Sequence, residues 1–428
     1  MKTEYSETPL PEKVDVVVIG AGIIGASTAY YLAKRGISVA LCEKGRIAGE
    51  QSSRNWGFVR QQGRDPAEIP MVMESLRLWR GLNQELGEET GFHQGGNIYL
   101  AQDDAQVAQY ENWLEHAKQH QLDTRILSPG EIDKVLPGTG LPWKAAMHTP
   151  SDGRAEPSLA TAAIVRAAVR GGAHMLESCA VRGVETTGGH VSGVVTERGS
   201  IGCSSVVLAG GTWSSLFSGN LGLRLPQLGI RESVIRTNPQ PAVTEGGVWT
   251  RDVAFRRRKD GGYSAAHGSI VDHQVTPDTF RFMRDFWGSY RAESGRLRVK
   301  FGRPFIEGLT TPRHWRLDAE TVFERVRVLD PSADQTMTRI ILANLKRAFP
   351  ELGEARIEEA WAGHIDVTPD AIPVISPIAA VPGFYLSTGY SGHGFGIGPG
   401  AGLATAEMVA GGAMTFDLTP FQFSRFER

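Results

Sequence analysis

The chain has 428 residues, of which 41% are hydrophobic and 21% charged, and its formal net charge is −2. This length suffices for two domains with sizeable cores, and the small charge provides no general attraction to nucleic acid or anionic lipid. The three widely separated cysteines, Cys42, Cys179 and Cys203, predict buried thiols rather than a metal site or a disulfide framework. Residues 1–13 do not have the pattern of a signal peptide, and no run of about twenty apolar residues predicts a membrane span, so we expect a cytoplasmic protein.

The first predicted element is a buried strand that leads into a glycine-rich turn. Residues 16–25, V-V-V-I-G-A-G-I-I-G, are followed by a helical pattern and by a second strand that ends at Glu43. In such a βαβ unit Gly20 permits the tight turn, Gly22 lets the backbone approach a pyrophosphate at the helix N-terminus, and Gly25 allows close packing of helix and strand. Glu43 is placed to accept hydrogen bonds from a ribose 2′-hydroxyl and would repel a 2′-phosphate. The unit therefore favours FAD or NAD over NADP.

The chain continues with alternating helical and strand-like patterns. A loop is predicted at 45–65, helices at 66–86, 102–121 and 158–171, and strands at 95–101, 191–197 and 205–208. From residue 231 to about residue 349 arginine and aromatic residues become frequent, and Asp260-Gly261 predicts a hairpin over 254–267. We interpret the basic run 256–259 as a solvated strand and turn, because no basic face continues it.

A second glycine-rich stretch, residues 389–400, follows a strand-like segment and precedes a predicted helix from Gly402. Backbone N–H groups at such a helix start can stabilise negative charge, such as that of a reduced flavin, whereas the alternative is a loose turn. The sequence has no second intact G-x-G-x-x-G unit for NAD(P)H, so the electrons are expected to come from the substrate itself. The return of α/β patterns after residue 357 predicts a discontinuous nucleotide domain, residues 1–90, 150–228 and 355–428, and a substrate domain, residues 91–149 and 229–354.

Four motifs together resemble the FAD-dependent amine and amino-acid oxidoreductases that include D-amino-acid oxidase, glycine oxidase and sarcosine oxidase. They are the fingerprint with Glu43, then residues 52–55 (S-S-R-N), 206–213 (V-V-L-A-G-G-T-W), and 361–370 (W-A-G-H-I-D-V-T-P-D) followed by S-G-H-G-F from Ser391. The resemblance covers nearly the whole chain. It implies an α/β fold with a glutathione-reductase-like, Rossmann-type FAD-binding domain and an antiparallel-sheet substrate domain.

The resemblance also implies the residues that hold FAD. Some sarcosine oxidases attach flavin through a cysteine, but the matching position here is Gly363 and no cysteine lies nearby in the sequence, so we expect non-covalent FAD. No metal is expected. The residues assigned to the cofactor are Gly20, Ala21, Gly22, Ile23, Ile24, Gly25, Glu43, Lys44, Ser52, Ser53, Arg54, Asn55, Trp56, Val181, Ala209, Gly210, Trp213, Gly363, Asp370, Gly392, His393, Gly394 and Phe395.

On the substrate side, Arg60 matches the arginine that anchors the substrate carboxylate in monomeric sarcosine oxidase. A guanidinium suits this task because it binds a carboxylate bidentately, although a surface ion pair is the alternative reading of Arg60. Three family positions depart from the pattern: Gly363-His-Ile-Asp replaces Gly-Leu-Arg-Pro, Gly396 replaces a carboxylate-binding lysine, and Ser264 aligns with the lysine that promotes reaction with oxygen. These departures indicate an altered or larger substrate, for example an N-substituted amino acid or opine.

The remaining candidates for catalysis are His267, His393 and Tyr390, and His364 is a weaker candidate. Histidine near a flavin can hydrogen-bond the substrate or tune the ring, and Tyr390, Tyr263 and Trp56 could form an apolar wall, but core packing explains these residues equally well.

The resemblance implies oxidation of the C–N bond of an amino acid or secondary amine to an imine, with hydride passing to the flavin and hydrolysis following. The electron acceptor, O2 or another, stays open. Two alternatives also stay open: an FAD-binding subunit of a hetero-oligomeric dehydrogenase, and a flavoprotein of another class such as a hydroxylase. We expect a small-molecule substrate and no nucleic-acid partner, and leave homo- and hetero-oligomers open.

Overall fold

The computed structural model describes residues 3–427, so residues 1–2 and 428 of the predicted nucleotide domain lie outside the described residues. The strands, in chain order, are β1 Val16–Ile19, β2 Val39–Cys42, β3 Phe58–Val59, β4 Asn97–Ala101, β5 Arg125–Leu127, β6 Ala145–Thr149, β7 Gly153–Arg154, β8 His174–Leu176, β9 Val181–Thr187, β10 His190–Thr196, β11 Gly199–Gly202, β12 Ser205–Leu208, β13 Leu228–Thr237, β14 Gly247–Trp249, β15 Ala254–Arg257, β16 Tyr263–Ala266, β17 Val271–Gln274, β18 Leu297–Lys300, β19 Ile357–Val367, β20 Val374–Pro377 and β21 Phe384–Thr388.

Helices separate many of these strands. They are α1 Ile23–Lys34, α2 Gln51–Arg54, α3 Ile69–Leu86, α4 Asp104–Gln119, α5 Pro129–Val135, α6 Pro157–Arg170, α7 Ser214–Asn220, α8 Pro277–Arg281, α9 Met283–Glu293, α10 Arg303–Thr310, α11 Val322–Arg325, α12 Gln335–Ala348 and α13 Gly394–Ala410. Short 3₁₀ turns lie at Gly211–Trp213, Pro350–Leu352, Thr419–Phe421 and Phe423–Phe426.

The first sheet is built around β1 and has the strand order β20-β21-β12-β1-β2-β8. Its strands are parallel except β20, which pairs antiparallel with β21. Because both faces of β1 are covered, every residue of this strand is apolar. Val16 and Val18 pack with helices α1, α3, α6 and α13, whereas Val17 packs with the other face, toward the small sheet β9–β11. The βαβ unit predicted from the glycine fingerprint is therefore observed.

The second large sheet is mainly antiparallel and follows the order β18-β17-β13-β16-β15-β14-β4-β6-β5, with β19 also paired to β13. The hairpin β15–β16 lies at its centre, as the Asp260-Gly261 turn predicts. The α/β fold with an added antiparallel sheet is thus confirmed. The predicted boundary at residue 355 differs from the structure in one respect: it assigns β19 to the nucleotide domain, but β19 pairs with β13 along nearly its whole length in the second sheet.

The second glycine-rich stretch differs from its prediction, because α13 begins at Gly394 and not at Gly402. Its glycines face other backbone segments at very short range. A Cβ on Gly400 would lie 2.7 Å from the Met71 carbonyl oxygen, and one on Gly402 would lie 2.3 Å from Ser27 Cβ. Close packing of α13 against α1 and α3 therefore requires glycine there and overrides its low helix propensity.

Residues 277–348 differ from the antiparallel-sheet substrate domain expected over 229–354, since five helices, α8–α12, are observed in this stretch. The longer of these helices are amphipathic, but several large apolar side chains of this segment face outward rather than into the core. They include Phe280, Met283, Trp287, Phe301, Ile306 and Leu309.

Residues 3–427 contain neither a helix suited to span a membrane nor a cluster of side chains suited to bind a metal. No helix there combines the length and apolar character needed to cross a bilayer. No group of three or more His, Cys, Asp or Glu side chains in that range is arranged to hold a metal ion.

We predict that Gly25→Ala destabilises the protein and lowers its FAD content. The new Cβ would lie 1.9 Å from the Gly20 carbonyl oxygen, so the β1–α1 turn must shift, and overpacking of this kind costs about 1–3 kcal/mol or more. The measurement is the midpoint of urea unfolding together with bound flavin per chain. The control is Gly81→Ala in α3, where a Cβ meets nothing within 4 Å and helix propensity should stabilise by about 0.5–1 kcal/mol. Equal stability of wild type and the Gly25 variant would contradict the packing argument.

Candidate active site

One elongated cavity of about 440 Å³ is lined by residues of both large sheets. Its walls combine the ends of β1, β2 and β12 and the segment around α2 with β13, β19 and the start of α13. A cavity that joins the carboxyl ends of a parallel sheet to a second sheet is where ligands of open α/β folds bind.

The fingerprint turn forms a cradle at one end of the cavity. Gly20 has φ +102° and Gly22 is the N-cap of α1, so the capping residue itself places no side chain over the start of this helix. The Ile23 N–H donates to Ser52 Oγ at 2.8 Å, which ties the segment around α2 to the helix N-terminus. Uncovered backbone N–H groups at a helix start suit a pyrophosphate. The cradle therefore fits the diphosphate of FAD.

Glu43 is fixed beside the cradle by two backbone donors. Its Oε2 accepts from the Ala21 N–H at 2.9 Å and its Oε1 accepts from the Gly45 N–H at 2.8 Å. Burial raises the pKa of Glu43 to about 7, against the opposing effect of these two hydrogen bonds. Each carboxyl oxygen has a second lone pair, so the group can still accept from a ribose hydroxyl. The position of Glu43 in the structure is therefore compatible with the predicted hydrogen bond from a ribose hydroxyl.

Lys44 lines the cavity, but its ammonium is already occupied. It donates to Glu50 at 2.7 Å and to the backbone carbonyls of Val326 and Arg327 at 2.8 and 3.0 Å. The Glu50 carboxylate also accepts from the Trp213 indole N–H. Lys44 therefore joins two chain segments at the cavity wall rather than offering a free charge to a phosphate.

The segment around α2 is held by contacts with distant strands. Arg54 donates to Asp330 at 2.6 Å and to the Ala362 carbonyl at 3.2 Å. The Asn55 side chain accepts from the Gly57 N–H at 2.8 Å and so closes a local turn. These contacts fix the wall next to Gly363, where a Cβ would lie 3.3 Å from Arg54 Cβ.

A buried ion pair links the same wall to the central hairpin. Arg256 on β15 is fully buried and pairs with Glu156 at 2.7 Å, while its Nε donates to the Trp56 carbonyl at 2.6 Å. A Cβ on Gly57 would meet the Arg256 Nε at 2.5 Å, so the loop and the arginine are in close contact. Burial lowers the pKa of Arg256, but Glu156 opposes this and keeps the pair charged. The basic run thus includes a structural ion pair, and is not wholly the solvated strand expected.

Most residues that the resemblance assigns to FAD line the cavity, and their contacts with FAD stay predictions. Those in the lining are Gly20, Gly22, Ile23, Ile24, Glu43, Lys44, Ser52, Arg54, Asn55, Trp56, Val181, Ala209, Gly210, Trp213, Gly363, Gly392, His393, Gly394 and Phe395.

Four assigned residues are placed outside the lining. Ala21 binds Glu43 through its backbone, Gly25 packs on Gly20, and Ser53 Oγ donates to the Glu50 carbonyl. Asp370 lies farther away, because its carboxylate forms an ion pair with Arg425 at 2.8 Å near the C-terminal end. The first three shape the cradle indirectly, whereas Asp370 lies away from the predicted ribityl chain.

His267 and Ser264 are also placed outside the cavity lining. His267 Nδ1 accepts from the Ser269 and Ile270 N–H groups at 3.2 and 3.1 Å and so stabilises a turn. Ser264 is buried and accepts from Arg258 at 3.0 Å. Neither side chain lines the cavity, so their roles toward substrate and oxygen stay predictions.

The opposite end of the cavity is cationic. Arg60 lies 5.4 Å from the centre of the Tyr99 ring and lines the cavity together with Arg64. Arg64 is only 3% exposed, its Nε donates to the Arg60 carbonyl, and its Nη1 has no hydrogen-bond partner among residues 3–427. Burial and the charge of Arg60 lower the pKa of Arg64 to about 9, so it stays protonated at neutral pH. A buried guanidinium with a free N–H is suited to bind an anion. No role for Arg64 was predicted from the sequence, although it lies only four residues after Arg60.

His393 and Glu68 adjoin this cationic end. The two side chains approach to 3.3 Å between His393 Nδ1 and Glu68 Oε2. Tyr390, in contrast, shares a hydrogen bond of 2.8 Å with Ser387, and burial raises its pKa, so its hydroxyl is tied to the core. Glu68 was also missed, because nothing local in the sequence pairs it with His393.

The wall between the two ends is largely apolar but contains one acid. Ile230, Glu232 and Val234 alternate along β13 and all line the cavity, as does Trp249. Burial raises the pKa of Glu232 to about 8, against a hydrogen bond with Trp56. Glu232 is therefore mostly uncharged at neutral pH. Sequence reasoning did not single it out, since one acid in a strand carries no local signal.

Comparison with known proteins identifies the family. Residues 15–408 match the family model described as DAO, FAD dependent oxidoreductase. The chain is 28% identical to sarcosine oxidase subunit beta of Rhodobacter capsulatus, over 98% of this chain and 91% of that protein. It is 25% identical to mitochondrial sarcosine dehydrogenase of Mus musculus, over 98% of this chain but only 42% of that protein.

A solved structure is also similar over the full length. L-amino acid deaminase from Proteus myxofaciens, in complex with anthranilate, superposes with a TM-score of 0.96 and 33% identity, covering 100% of this chain and 97% of that chain. The chain therefore belongs to the DAO family of FAD-dependent oxidoreductases. It is an enzyme of that class, and its cofactor is FAD.

We predict that the FAD is bound without a covalent link. Among the described cysteines only Cys42 lines the cavity, and it precedes Glu43 at the cradle, away from Gly363. Acid precipitation should leave yellow flavin in the supernatant, and colour retained by the pellet would contradict this. Gly22→Val should abolish flavin binding, because its side chain would enter the space at the helix start. Absorbance at the flavin band per chain measures the loss, with Gly81→Ala as the folded control.

Proposed function

We propose that this enzyme oxidises the carbon–nitrogen bond of an α-amino acid or N-alkyl amino acid to an imine, which water then hydrolyses. The observation that carries the proposal is that one cavity joins the cradle of Gly20 and Gly22 to two cations, the partly exposed Arg60 and the buried Arg64. Bound FAD supplies the redox chemistry by accepting a hydride equivalent from the carbon next to nitrogen. The chain itself binds the carboxylate, orients the amine and excludes water.

The carboxylate anchor is the better supported part of the binding mode. Arg64 is held by the Arg60 carbonyl and keeps one N–H free, so a carboxylate can complete its hydrogen bonds. Arg60 stacks near Tyr99, which keeps its side chain within the same end of the cavity. Two guanidinium groups compensate for the carboxylate contacts that Gly363 and Gly396 cannot provide.

The wall supports an apolar side chain on the substrate. Ile230, Val234 and Trp249 offer apolar surface in the lining of the same cavity as the cradle and the cations. Glu232 would repel an anionic substrate if ionised, but its raised pKa keeps it mostly neutral at pH 7. A monocarboxylic amino acid with an apolar substituent therefore fits better than a dicarboxylic one.

The relatives support the same chemical class. The names of the similar proteins refer to sarcosine, an N-methyl amino acid, and to L-amino acids. Both contain an amine on the carbon next to a carboxylate. The test is a panel of L-, D- and N-methyl amino acids scored by anaerobic bleaching of the bound flavin. Absence of bleaching by every member would contradict the proposal, and rapid NADPH oxidation would favour a hydroxylase.

A second candidate is the FAD-binding subunit of a hetero-oligomer. It is favoured by the similarity to a protein named as a subunit, which this chain covers almost fully. Purification of the untagged chain from its native source, followed by size-exclusion chromatography and mass spectrometry, distinguishes the two cases. A stoichiometric partner supports the subunit, whereas a homogeneous chain that turns over substrate supports the independent enzyme.

We predict that Arg60→Leu and Arg64→Leu each raise KM for an amino acid far more than they change FAD content. Loss of one member of a buried charge pair costs about 2–4 kcal/mol, or roughly 30- to 700-fold in KM. Steady-state kinetics with the fastest panel substrate measure the effect. The matched control is Arg77→Leu, on the exposed face of α3 where the arginine pairs with Glu74. An unchanged KM in both cavity variants would move the anchor elsewhere.

We also predict that an artificial dye outcompetes oxygen as the electron acceptor. Oxygen reduction develops negative charge that a nearby free cation stabilises, but Gly396 supplies none, Ser264 lies outside the cavity lining, and His393, when protonated, is paired with Glu68. In the substrate complex the positive charges of Arg60 and Arg64 are balanced by the substrate carboxylate together with Glu68. Stopped-flow reoxidation of substrate-reduced enzyme in aerated buffer, compared with a dichlorophenolindophenol dye, tests this. Reoxidation by oxygen as fast as turnover would establish an oxidase instead.

A further inference from the structure

Glu68 is a buried carboxylate whose neighbour at ion-pair distance, among the described residues, is His393. It lies at the N-cap of α3, its side chain is 0% exposed, and neither oxygen has a hydrogen-bond partner of good geometry among the described residues. Its Oε2 lies 3.3 Å from His393 Nδ1. An isolated buried carboxylate is costly, so the placement of Glu68 implies a proton donor directed at it, and Nδ1 is the available one.

His393 has two different sides. Its Nδ1 is buried against Glu68, whereas the side chain as a whole stays 24% exposed and lines the cavity. His393 is the N-cap residue of α13, directly before Gly394. With Nδ1 directed at Glu68, the remaining nitrogen Nε2 lies on the part of the ring that faces the cavity.

We propose that Glu68 and His393 form a dyad in which Glu68 holds the proton on Nδ1 and the Nε2 lone pair accepts a proton from the ammonium group of the bound amino acid. His393 is the catalytic residue of the dyad and Glu68 is its positioning residue. The inference rests on the proposed function and adds to it, since an amine must be neutral before its carbon can release a hydride.

The proton transfer is balanced within the site. The N–H bond of the ammonium breaks, its electron pair stays on nitrogen as the amine lone pair, and a new N–H bond forms at Nε2 of His393. The imidazolium that results is stabilised by the Glu68 carboxylate. It returns the proton to water after the product leaves, so no further oxidant or reductant is required.

The charges around His393 favour a neutral ring in the free enzyme. Burial and the positive charges of Arg64 and Arg60 lower the pKa of His393, against the opposing charge of Glu68. Burial opposes ionisation of Glu68, but His393, Arg64 and Arg60 outweigh it and lower the pKa of Glu68. Tyr390, whose pKa is raised, is neutral. A carboxylate that binds at the two arginines offsets part of their positive charge, which raises the proton affinity of His393 at the moment when the ammonium arrives.

The position of the arginines brings the amine to the dyad. The charges of Arg60 and Arg64 act on both Glu68 and His393, so the four side chains form one cluster at this end of the cavity. In an α-amino acid the nitrogen is two bonds from the carboxyl carbon. A substrate held by its carboxylate at the arginines therefore has its nitrogen close to the same cluster.

The test compares His393→Asn, Glu68→Gln and the control Glu74→Gln in the FAD-loaded enzyme. Asparagine retains a donor at the position of Nδ1 but removes Nε2, and Glu74 lies on the same helix as Glu68 but pairs only with surface Arg77. The quantity measured is the rate constant of flavin bleaching divided by the substrate dissociation constant. It is determined as a function of pH for the amino acid of the panel that bleaches the flavin fastest. Flavin content and thermal midpoint verify folding.

The expected profiles differ between the variants. Wild type and Glu74→Gln should lose activity below the pKa of His393, because a protonated ring cannot accept a proton. In Glu68→Gln this loss of activity should occur at lower pH, since the anion that raises the pKa of His393 is gone. His393→Asn should depend on the neutral amine in solution, so activity should rise tenfold per pH unit up to the pKa of the free amine. An unshifted limb in either variant would overturn the dyad.

A second readout does not require turnover. The probes are anthranilate and benzoate, which share a carboxylate but differ by one amino group, titrated by the change in the flavin spectrum. Anthranilate should bind about tenfold more tightly to wild type, because its N–H donates to Nε2, and the preference should vanish in His393→Asn. Equal affinities in wild type, or a preference that survives in His393→Asn, would overturn the proposal.

The protonation state of the ring is directly observable. Side-chain ¹H–¹⁵N spectra of histidine-labelled holoenzyme should show His393 with the proton on Nδ1, and Glu68→Gln should mix the tautomers. A wild-type ring protonated on Nε2 would overturn the dyad. If no amino acid bleaches the flavin while both of these readouts behave as expected, the proposed function fails and the dyad stands.

Discussion

The architecture depends on the distance at which backbone segments can approach around the start of α1. The Gly20 carbonyl occupies the place of a side chain on Gly25, and Ala209 at the end of β12 closes against Gly20 from the other direction. On the far side of α1, Gly402 of α13 lies against Ser27. Through these contacts β1, β12 and α13 all pack closely around α1. The cradle exists because no Cβ occupies this region, and the remaining walls of the cavity are built outward from it.

The second constraint on the architecture is the pairing of the charged side chains that are buried around the cavity. Around the cavity, ionisable side chains are removed from water and then stabilised by a specific neighbour, as with Arg256 and Glu156 or Arg54 and Asp330. Arg64 and Glu68 depart from this pattern, since one guanidinium nitrogen of Arg64 and both carboxylate oxygens of Glu68 have no hydrogen-bond partner among the residues described. Buried charges without partners are unfavourable in a structure that serves only stability. This contrast is what distinguishes the cationic end of the cavity from the ion pairs that hold its walls.

Local patterns predicted the parts of the structure that local physics decides. The fingerprint turn and Glu43 were predictable because each glycine has a steric role within one βαβ unit, and the Asp260-Gly261 hairpin was predictable from its turn. The early start of α13 was not, because tertiary contacts with α1 and α3 outweigh the helix propensity of glycine. The place of His267 depended on a register between hairpin and cavity that no short motif specifies. The contact of Glu68 with His393 joins residues far apart in the chain, so only the fold reveals it.

The ion pair of Arg256 with Glu156 has a consequence for how such enzymes diversify. Arg256 belongs to the central hairpin of the antiparallel sheet, Glu156 precedes α6, and the Trp56 carbonyl that Arg256 also binds belongs to the loop after α2. Three separate stretches of chain thus share one guanidinium. A hairpin transplanted from a relative without that arginine would leave a carboxylate buried alone and a carbonyl without its donor, at a cost of about 3–5 kcal/mol. Substrate-side hairpins are therefore inherited together with the loop they touch, and recombination between homologues is constrained to exchange both.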